Sequence, residues 1–221
     1  MRTAPKKQRD EPQSEISRPH IPDWMMHPDS TSPPHQFNPL LVGESCQQTL
    51  VIVDLRVSSY TYEPKRLASP GATTGSALRQ EELSQPATYP GVTEMTITCD
   101  EIPQWKIELK PLTDPLPAFH SSERRRETPP LTVHDVLSAI QRSIRSHITH
   151  EEWAELSSEQ QKACADAYLR RCRANPDTKV FEESQGVRRV DYLLEKHFFK
   201  GLVLPKGPEP FKNVKLIVGK K

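Results

Sequence analysis

The stretch that decides the fold is MTITCDEIPQWKIEL, residues 95–109. Apolar and polar side chains alternate over residues 95–99 and again over residues 105–109, which is the period of a half-buried β-strand. Pro103 lies in the intervening polar segment and predicts a turn between the two runs. We therefore predict an antiparallel hairpin with one face buried and the other in water. The predicted buried face consists of Met95, Ile97, Cys99, Trp105, Ile107 and Leu109.

A sheet with one apolar face needs a cover, and the sequence predicts helices after residue 130. Thr132 with Asp135 forms an acidic variant of the N-terminal capping box, and Thr149 with Glu152 forms a second capping box. A further helix start is predicted at Ser157 or Ser158. The helix after Thr132 has one apolar face, made of Val133, Val136, Leu137, Ile140 and Ile144.

Two further strands are predicted outside the hairpin. Residues 50–57 are rich in β-branched side chains and predict a central strand that is covered on both faces. Residues 214–218 predict a last strand that rejoins the sheet, whereas residues 187–204 are apolar without a clear period. We predict an α+β fold, with a mostly antiparallel sheet and two or three helices packed on one face.

The chain is predicted to contain one folded domain. Residues 1–36 are rich in proline and polar side chains, which is typical of a disordered tail. The predicted α+β domain covers residues 37–219, with flexible loops near residues 58–90 and 111–130 where proline and polar residues cluster.

Charge and hydropathy argue against several classes of partner. Thirty Lys and Arg residues oppose 29 Asp and Glu residues, so no net field attracts nucleic acid or an anionic membrane. The sequence has neither a secretion signal nor an apolar run of about 20 residues that would span a bilayer. We expect an intracellular protein, cytoplasmic or nuclear, whose four widely spaced cysteines are reduced and mostly buried.

His147, His150 and Glu151 are the best candidates for metal ligands. The cap predicted at Thr149 would place His147 outside the helix, so the two imidazoles need not converge. We predict no metal site and no cofactor.

A catalytic nucleophile is the alternative reading of Cys99, His134, Asp135 and Asp191. The sequence contains no nucleophile elbow, no P-loop and no dinucleotide-binding glycine motif. The catalytic residues, if the chain is an enzyme, therefore remain unknown.

Arginine clusters raise the question of nucleic-acid binding. They lie at residues 124–126, at Arg170, Arg171 and Arg173, and at Arg188 and Arg189. The middle cluster falls in the last turn of a predicted helix, where cations offset the exposed carbonyl dipoles. No aromatic residues alternate with these arginines as a stacking surface would require.

Residues 125–128, with the sequence RRET, have the spacing that basophilic kinases recognise. A phosphate on Thr128 would lie next to cationic side chains.

Several motifs, in their order along the chain, resemble an uncharacterised domain family of basidiomycete fungi, over about residues 37–219. The motifs are Phe37-Asn38-Pro39-Leu40-Leu41, Val53-Asp54-Leu55-Arg56, the hairpin, Leu131-Thr132-Val133-His134-Asp135-Val136-Leu137, Arg189-Val190-Asp191-Tyr192-Leu193 and Phe199-Lys200-Gly201-Leu202. The resemblance implies a fold and a fungal intracellular setting, but neither an activity nor catalytic residues.

The function is therefore unknown from sequence. Our hypothesis is a non-enzymatic binding or scaffold module whose partner is another protein, because proline-rich loops on a rigid scaffold commonly carry recognition. The alternatives are an enzyme with a Cys, His and Asp site, and a weak nucleic-acid binder.

Overall fold

A computed structural model describes residues 35–43, 51–57, 63–68, 72, 74–110, 128–207 and 209–221. The predicted tail at residues 1–36 and the predicted loop at residues 111–130 lie mostly outside the described residues. The domain boundaries at residues 37 and 219 stay predictions.

The described residues form nine strands, which are β1 (Gln36–Phe37), β2 (Val51–Asp54), β3 (Lys65–Leu67), β4 (Gly75–Ala77), β5 (Thr88–Tyr89), β6 (Met95–Cys99), β7 (Ile107–Leu109), β8 (Phe198–Val203) and β9 (Val214–Gly219). Seven of them form one mixed sheet in the order β4-β3-β2-β8-β9-β6-β7, and β1 pairs separately with β5. Every pairing is antiparallel except that of β6 with β9.

The described residues also form six α-helices, which lie on one side of the sheet. They are α1 (Gln80–Leu83), α2 (Val133–Ile144), α3 (His150–Ala154), α4 (Ser158–Arg173), α5 (Lys179–Ser184) and α6 (Arg189–Tyr192). Short 3-10 helices occupy Pro176–Thr178 and Pro210–Lys212. This arrangement confirms the predicted α+β class and the mostly antiparallel sheet.

The predicted hairpin is confirmed as β6 and β7. Met95 pairs with Leu109 and Ile97 pairs with Ile107, and all six side chains of the predicted inner face are buried. They belong to one hydrophobic cluster that extends from Phe37 to Leu216. The hairpin is therefore part of the same core as the helices.

The predicted helix starts are also confirmed. The side-chain oxygens of Thr132, Thr149 and Ser157 each accept a hydrogen bond from the backbone N–H three residues later, at the starts of α2, α3 and α4. These caps satisfy amide groups that the first helical turn leaves without partners.

The prediction that residues 50–57 form the central strand was wrong. The strand is present as β2, but β8 occupies the middle of the seven-stranded order. Val51 and Val53 are buried whereas Ile52 and Asp54 are half-buried, so only one face of β2 is fully covered.

Sequence periodicity missed β8 because the strand is irregular. Its pairing with β9 shifts register between Phe199 and Gly201. Gly201 has a φ of 109°, and a Cβ atom there would lie 2.3 Å from the Cα of Gly43. Only glycine allows this close approach of two backbone segments.

Residues 58–90, expected as a flexible loop, contain β3, β4, α1 and β5 in their described part. The side chains of β3 and β4 are mostly exposed. Such strands have no apolar alternation for a sequence pattern to detect. No helix in the described part of the chain is long and apolar enough to cross a membrane.

Candidate functional site

A cluster of buried charged side chains lies where α4, α5 and α6 meet the end of α2. At its centre, Arg171 donates from Nε and Nη2 to the two carboxylate oxygens of Asp191, at 2.9 Å each. The same Nη2 donates to the carbonyl of Gly186, and Nη1 donates to Glu182. The side chains of Arg171 and Asp191 are only 3% and 2% exposed. All three guanidinium nitrogens therefore have partners within the protein.

Glu182 connects this pair to two more arginines. Its carboxylate accepts hydrogen bonds from Arg145 and from Arg188, each at 3.3 Å, in addition to the bond from Arg171. Arg145 caps the C-terminal end of α2, and Arg188 is the N-cap of α6. One carboxylate thus holds together three separate segments of the chain.

The five side chains are Arg145, Arg171, Arg188, Glu182 and Asp191, and we name them the arginine cluster. Three cations oppose two anions, so the cluster has a formal excess of one positive charge. Arg145 is the C-cap of α2 and Arg171 lies in the last turn of α4, and cations at these helix positions are favoured by the carbonyl dipoles.

The pKa values within the cluster reflect its burial. Desolvation, together with the neighbouring cation Arg145, lowers the pKa of Arg188 to about 10. Although burial acts against the charge of Arg171, its hydrogen bonds to Asp191 raise its pKa above the ordinary value. Both arginines therefore remain charged at neutral pH, and the cluster acts as a fixed structural unit.

A small cleft opens beside the arginine cluster. Arg171 and Glu182 form one wall, and Asp54 and Arg56 at the end of β2 form another. Its volume is about 120 Å³, below the roughly 300 Å³ that is typical of small-molecule sites. Arg56 is itself paired with Asp54 at 2.8 Å. The cleft can hold a few water molecules or a small ion, but it is too small for most substrates.

The outer face of α5 is unusual for a surface helix. Glu182 is 4% exposed, while the two residues before it are apolar and open to solvent: Val180 is 79% exposed and Phe181 is 43% exposed. We name Val180 and Phe181 the α5 apolar pair. The arginine cluster holds Glu182 inward, and this orientation turns the apolar pair outward.

The metal candidates do not converge on a site. Thr149 is the N-cap of α3, so His147 precedes the helix and His150 begins it. The backbone of His147 instead bridges to Arg188. In the part of the chain that the structure describes, no group of three or more His, Cys, Asp or Glu residues is arranged to hold a metal ion.

The candidates for nucleophilic catalysis lie in different environments. His134 is exposed on the first turn of α2, 3.3 Å from the hydroxyl of Ser138. Asp135 accepts from both the N–H and the hydroxyl of Thr132, and Asp191 is buried in the arginine cluster. The structure therefore gives these side chains local structural partners.

The described cysteines are buried free thiols with raised pKa values. Burial raises the pKa of Cys164 to about 11, and it also raises the pKa values of Cys99 and Cys172. A nucleophilic cysteine needs a lowered pKa, because the thiolate is the reactive form. Cys46 lies outside the described residues.

The arginine clusters seen in the sequence serve several roles. Arg171 and Arg188 are buried ion-pair partners, and the guanidinium of Arg189 lies 4.9 Å from the ring centre of Trp105. Arg170 and Arg173 are exposed. Residues 124–126 lie outside the described residues. The prediction that Arg171 mainly offsets a helix dipole missed its two carboxylate partners.

Comparison with known proteins adds one finding to this geometry. The model of a family of unknown function, DUF6699, matches residues 56–211. The chain belongs to this family. No curated protein and no solved structure gives a significant match.

The DUF6699 match includes the whole arginine cluster and the α5 apolar pair. Asp191, in one of the motifs that carried the resemblance, is a member of the cluster. Asn38, in another motif, is buried and donates to Gln85 and to the carbonyl of Pro86. These two motif residues have structural roles.

Proposed function

We propose that this DUF6699 protein is a non-catalytic protein-binding module whose contact surface is centred on the α5 apolar pair. The observation that carries the proposal is the inverted burial of α5, in which a carboxylate lies inside and Val180 and Phe181 lie outside. Scattered apolar residues are common on surfaces, but an adjacent aliphatic and aromatic pair is typical of an interface core.

The inverted arrangement has a cost that supports this proposal. Burying Glu182 requires three arginines to be desolvated with it, and buried ion pairs often contribute little net stability. The arginine cluster does, however, fix the orientation of α5 firmly. A rigid helix face loses less conformational entropy when it binds a partner.

The charges near the apolar pair favour a particular kind of partner. Lys179 and Glu183, at opposite ends of the same helix, form an exposed ion pair at 3.8 Å. Because these charges compensate each other, the surface suits an apolar pocket on another protein better than a polyanion. Burial of Arg171 and Arg188 likewise weakens the case for nucleic-acid binding, and the raised pKa values of the thiols weaken the case for an enzyme.

The setting of the protein belongs to the same proposal. The free thiols of Cys99, Cys164 and Cys172 are in keeping with a reducing intracellular compartment. We also propose the basidiomycete origin that the motif resemblance implies, and one domain over residues 37–219.

The test is quantitative binding with a matched pair of variants. The double variant Val180→Ser with Phe181→Ser removes the apolar pair, and Val42→Ser removes another exposed aliphatic side chain, 44% exposed, on a different segment. A partner is first identified by crosslinking in cells that encode the protein, and its binding is then measured with purified components. We expect the double variant to weaken the affinity at least about ten-fold and the control to leave it unchanged.

Two readouts separate the other outcomes. Affinity that changes little between about 50 and about 500 mM salt supports an apolar contact, whereas a steep fall indicates a polyanion. Equal binding by the double variant and the wild type overturns the proposed surface. If the wild type self-associates and the double variant does not, the partner is a second copy of the chain and not another protein.

A further inference from the structure

A second feature, separate from α5, lies in a cleft next to the first turns of α2. Thr128 is exposed and lines this cleft, which has a volume of about 430 Å³. Lys110, just after β7, and Arg142, on α2, line the same cleft. The cleft thus brings one hydroxyl and two cations onto a common surface.

The two cations differ in the hydrogen-bond and ion-pair partners that they already have. Arg142 donates weakly from Nε to the carbonyl of Ser138 at 3.4 Å, and it forms no ion pair with any described residue. Lys110 is paired with Glu108 at 2.7 Å in an exposed position. Asp135, the other acid of the cleft, caps α2 through Thr132. Arg142 therefore has capacity for an anion, and Lys110 can exchange an exposed partner.

The sequence before Thr128 supplies an independent observation. Two arginines precede Thr128 at positions 125 and 126, which is the spacing that basophilic kinases recognise. We infer that Thr128 is a phosphorylation site and that its phosphate binds Arg142, with Lys110 as a second ligand.

The modification requires a basophilic protein kinase and ATP. The Oγ1 atom of Thr128 attacks the γ-phosphorus of ATP, a new P–O bond forms, and the bond from that phosphorus to the β,γ-bridging oxygen breaks. ADP leaves, and the hydroxyl proton passes to a base of the kinase. The product carries nearly two negative charges and three strong acceptor oxygens.

A phosphate on Thr128 would connect this residue, which directly precedes Pro129, to α2. Charge-assisted hydrogen bonds between a guanidinium and phosphate are among the stronger polar contacts. Glu108 and Asp135 oppose the added charge, so the gain depends on Arg142. The modification would therefore fasten the chain entering α2 onto the helix itself.

The first test is mass spectrometry of the full chain purified, with phosphatase inhibitors, from cells that encode it. We expect phosphate on Thr128. If peptides covering this residue carry none, the modification is overturned.

The second test measures how the phosphate binds. Full-length protein with phosphothreonine incorporated at position 128 is compared with unmodified protein by thermal unfolding. We expect Tm to rise by about 2–4 °C, and we expect the rise to shrink in high salt and to disappear in the Arg142→Gln variant. The control is Arg170→Gln, an exposed arginine on α4, which should keep the rise. A rise that persists in Arg142→Gln, or no rise at all, overturns the proposed contact.

Discussion

At the scale of single residues, Glu182 is the position on which the candidate site depends. Its side chain is 6% exposed and contacts Arg145, Arg171 and Arg188. Among the described residues, Asp191 bonds Arg171 and the backbone of Arg188, whereas the ion pair of Arg145 is with Glu182. Loss of this one carboxylate would leave three buried guanidiniums with one acidic partner.

We expect Glu182→Ala to lower the free energy of unfolding by about 3–5 kcal/mol, because it leaves buried charges without a partner. Urea denaturation of the purified chain measures the change. The matched control is Glu183→Ala, at the next position, where an exposed ion pair contributes little. Equal stability of the two variants would show that the arginine cluster does not need Glu182.

The sequence could predict the burial of one member of this cluster, Arg171. Arg171 lies four residues after Ala167 and seven after Cys164, on the buried face of α4. Its inward orientation follows from that spacing. Glu182, by contrast, lies in a short segment with no periodic signal, and acidic residues are seldom buried. Its burial is a tertiary effect that appears only when three arginines from distant segments meet.

At the scale of elements, Trp105 joins the hairpin to the helices. Its ring is 4.7 Å from the ring of Tyr192 on α6, in an edge-on arrangement, and its Nε1 donates to Glu152 on α3. The guanidinium of Arg189 packs over the same ring. This one side chain, just before β7, thus contacts both α3 and α6.

We expect Trp105→Ala to destabilise the fold by about 3–5 kcal/mol, since it removes a large buried ring and its partners. Chemical denaturation followed by circular dichroism measures the loss. Trp153→Ala, at a half-buried position on α3, serves as the control and should cost less. A stable, unchanged Trp105→Ala variant would contradict the packing of the hairpin on the helices.

The elements differ in how far sequence could predict them. The hairpin and α2 have clear periods because each is apolar on one face only, and their side chains follow the expected pattern. The register shift in β8 interrupts its alternation, and β3 and β4 have too few buried side chains to form a pattern. Their positions depend on the strands beside them.

At the scale of the whole molecule, buried thiols make stability depend on pH in the alkaline range. The pKa values of Cys99, Cys164 and Cys172 are all raised by burial, that of Cys164 to about 11. Below pH 9.0, the pKa of a thiol in the unfolded chain, the neutral buried thiols contribute fully to stability. As pH rises, the unfolded state loses protons first, so unfolding becomes more favourable.

We expect the urea midpoint to fall between about pH 8 and about pH 10. The predicted fall is limited to this range because Arg188, with its pKa lowered to about 10, loses its proton in the folded state first. At higher pH this group therefore makes stability rise with pH, against the effect of the thiols. Cys164→Ser, which has a hydroxyl that does not titrate in this range, should flatten the curve. A midpoint that stays constant over the range in the wild type would contradict the burial of these thiols.

The position of β9 has a further consequence, which concerns the order in which the chain can fold. β9 is the last of the described strands along the chain, yet it lies inside the sheet, between β8 and β6. The hydroxyl of Thr98 bonds the carbonyl of Val214, 116 residues later. Until residues 214–219 are available, β8 and β6 are two unpaired edges facing each other. Such long-range closure slows folding, and unpaired edges favour aggregation. A nascent chain of this protein would thus need to protect a divided sheet until β9 has been synthesised.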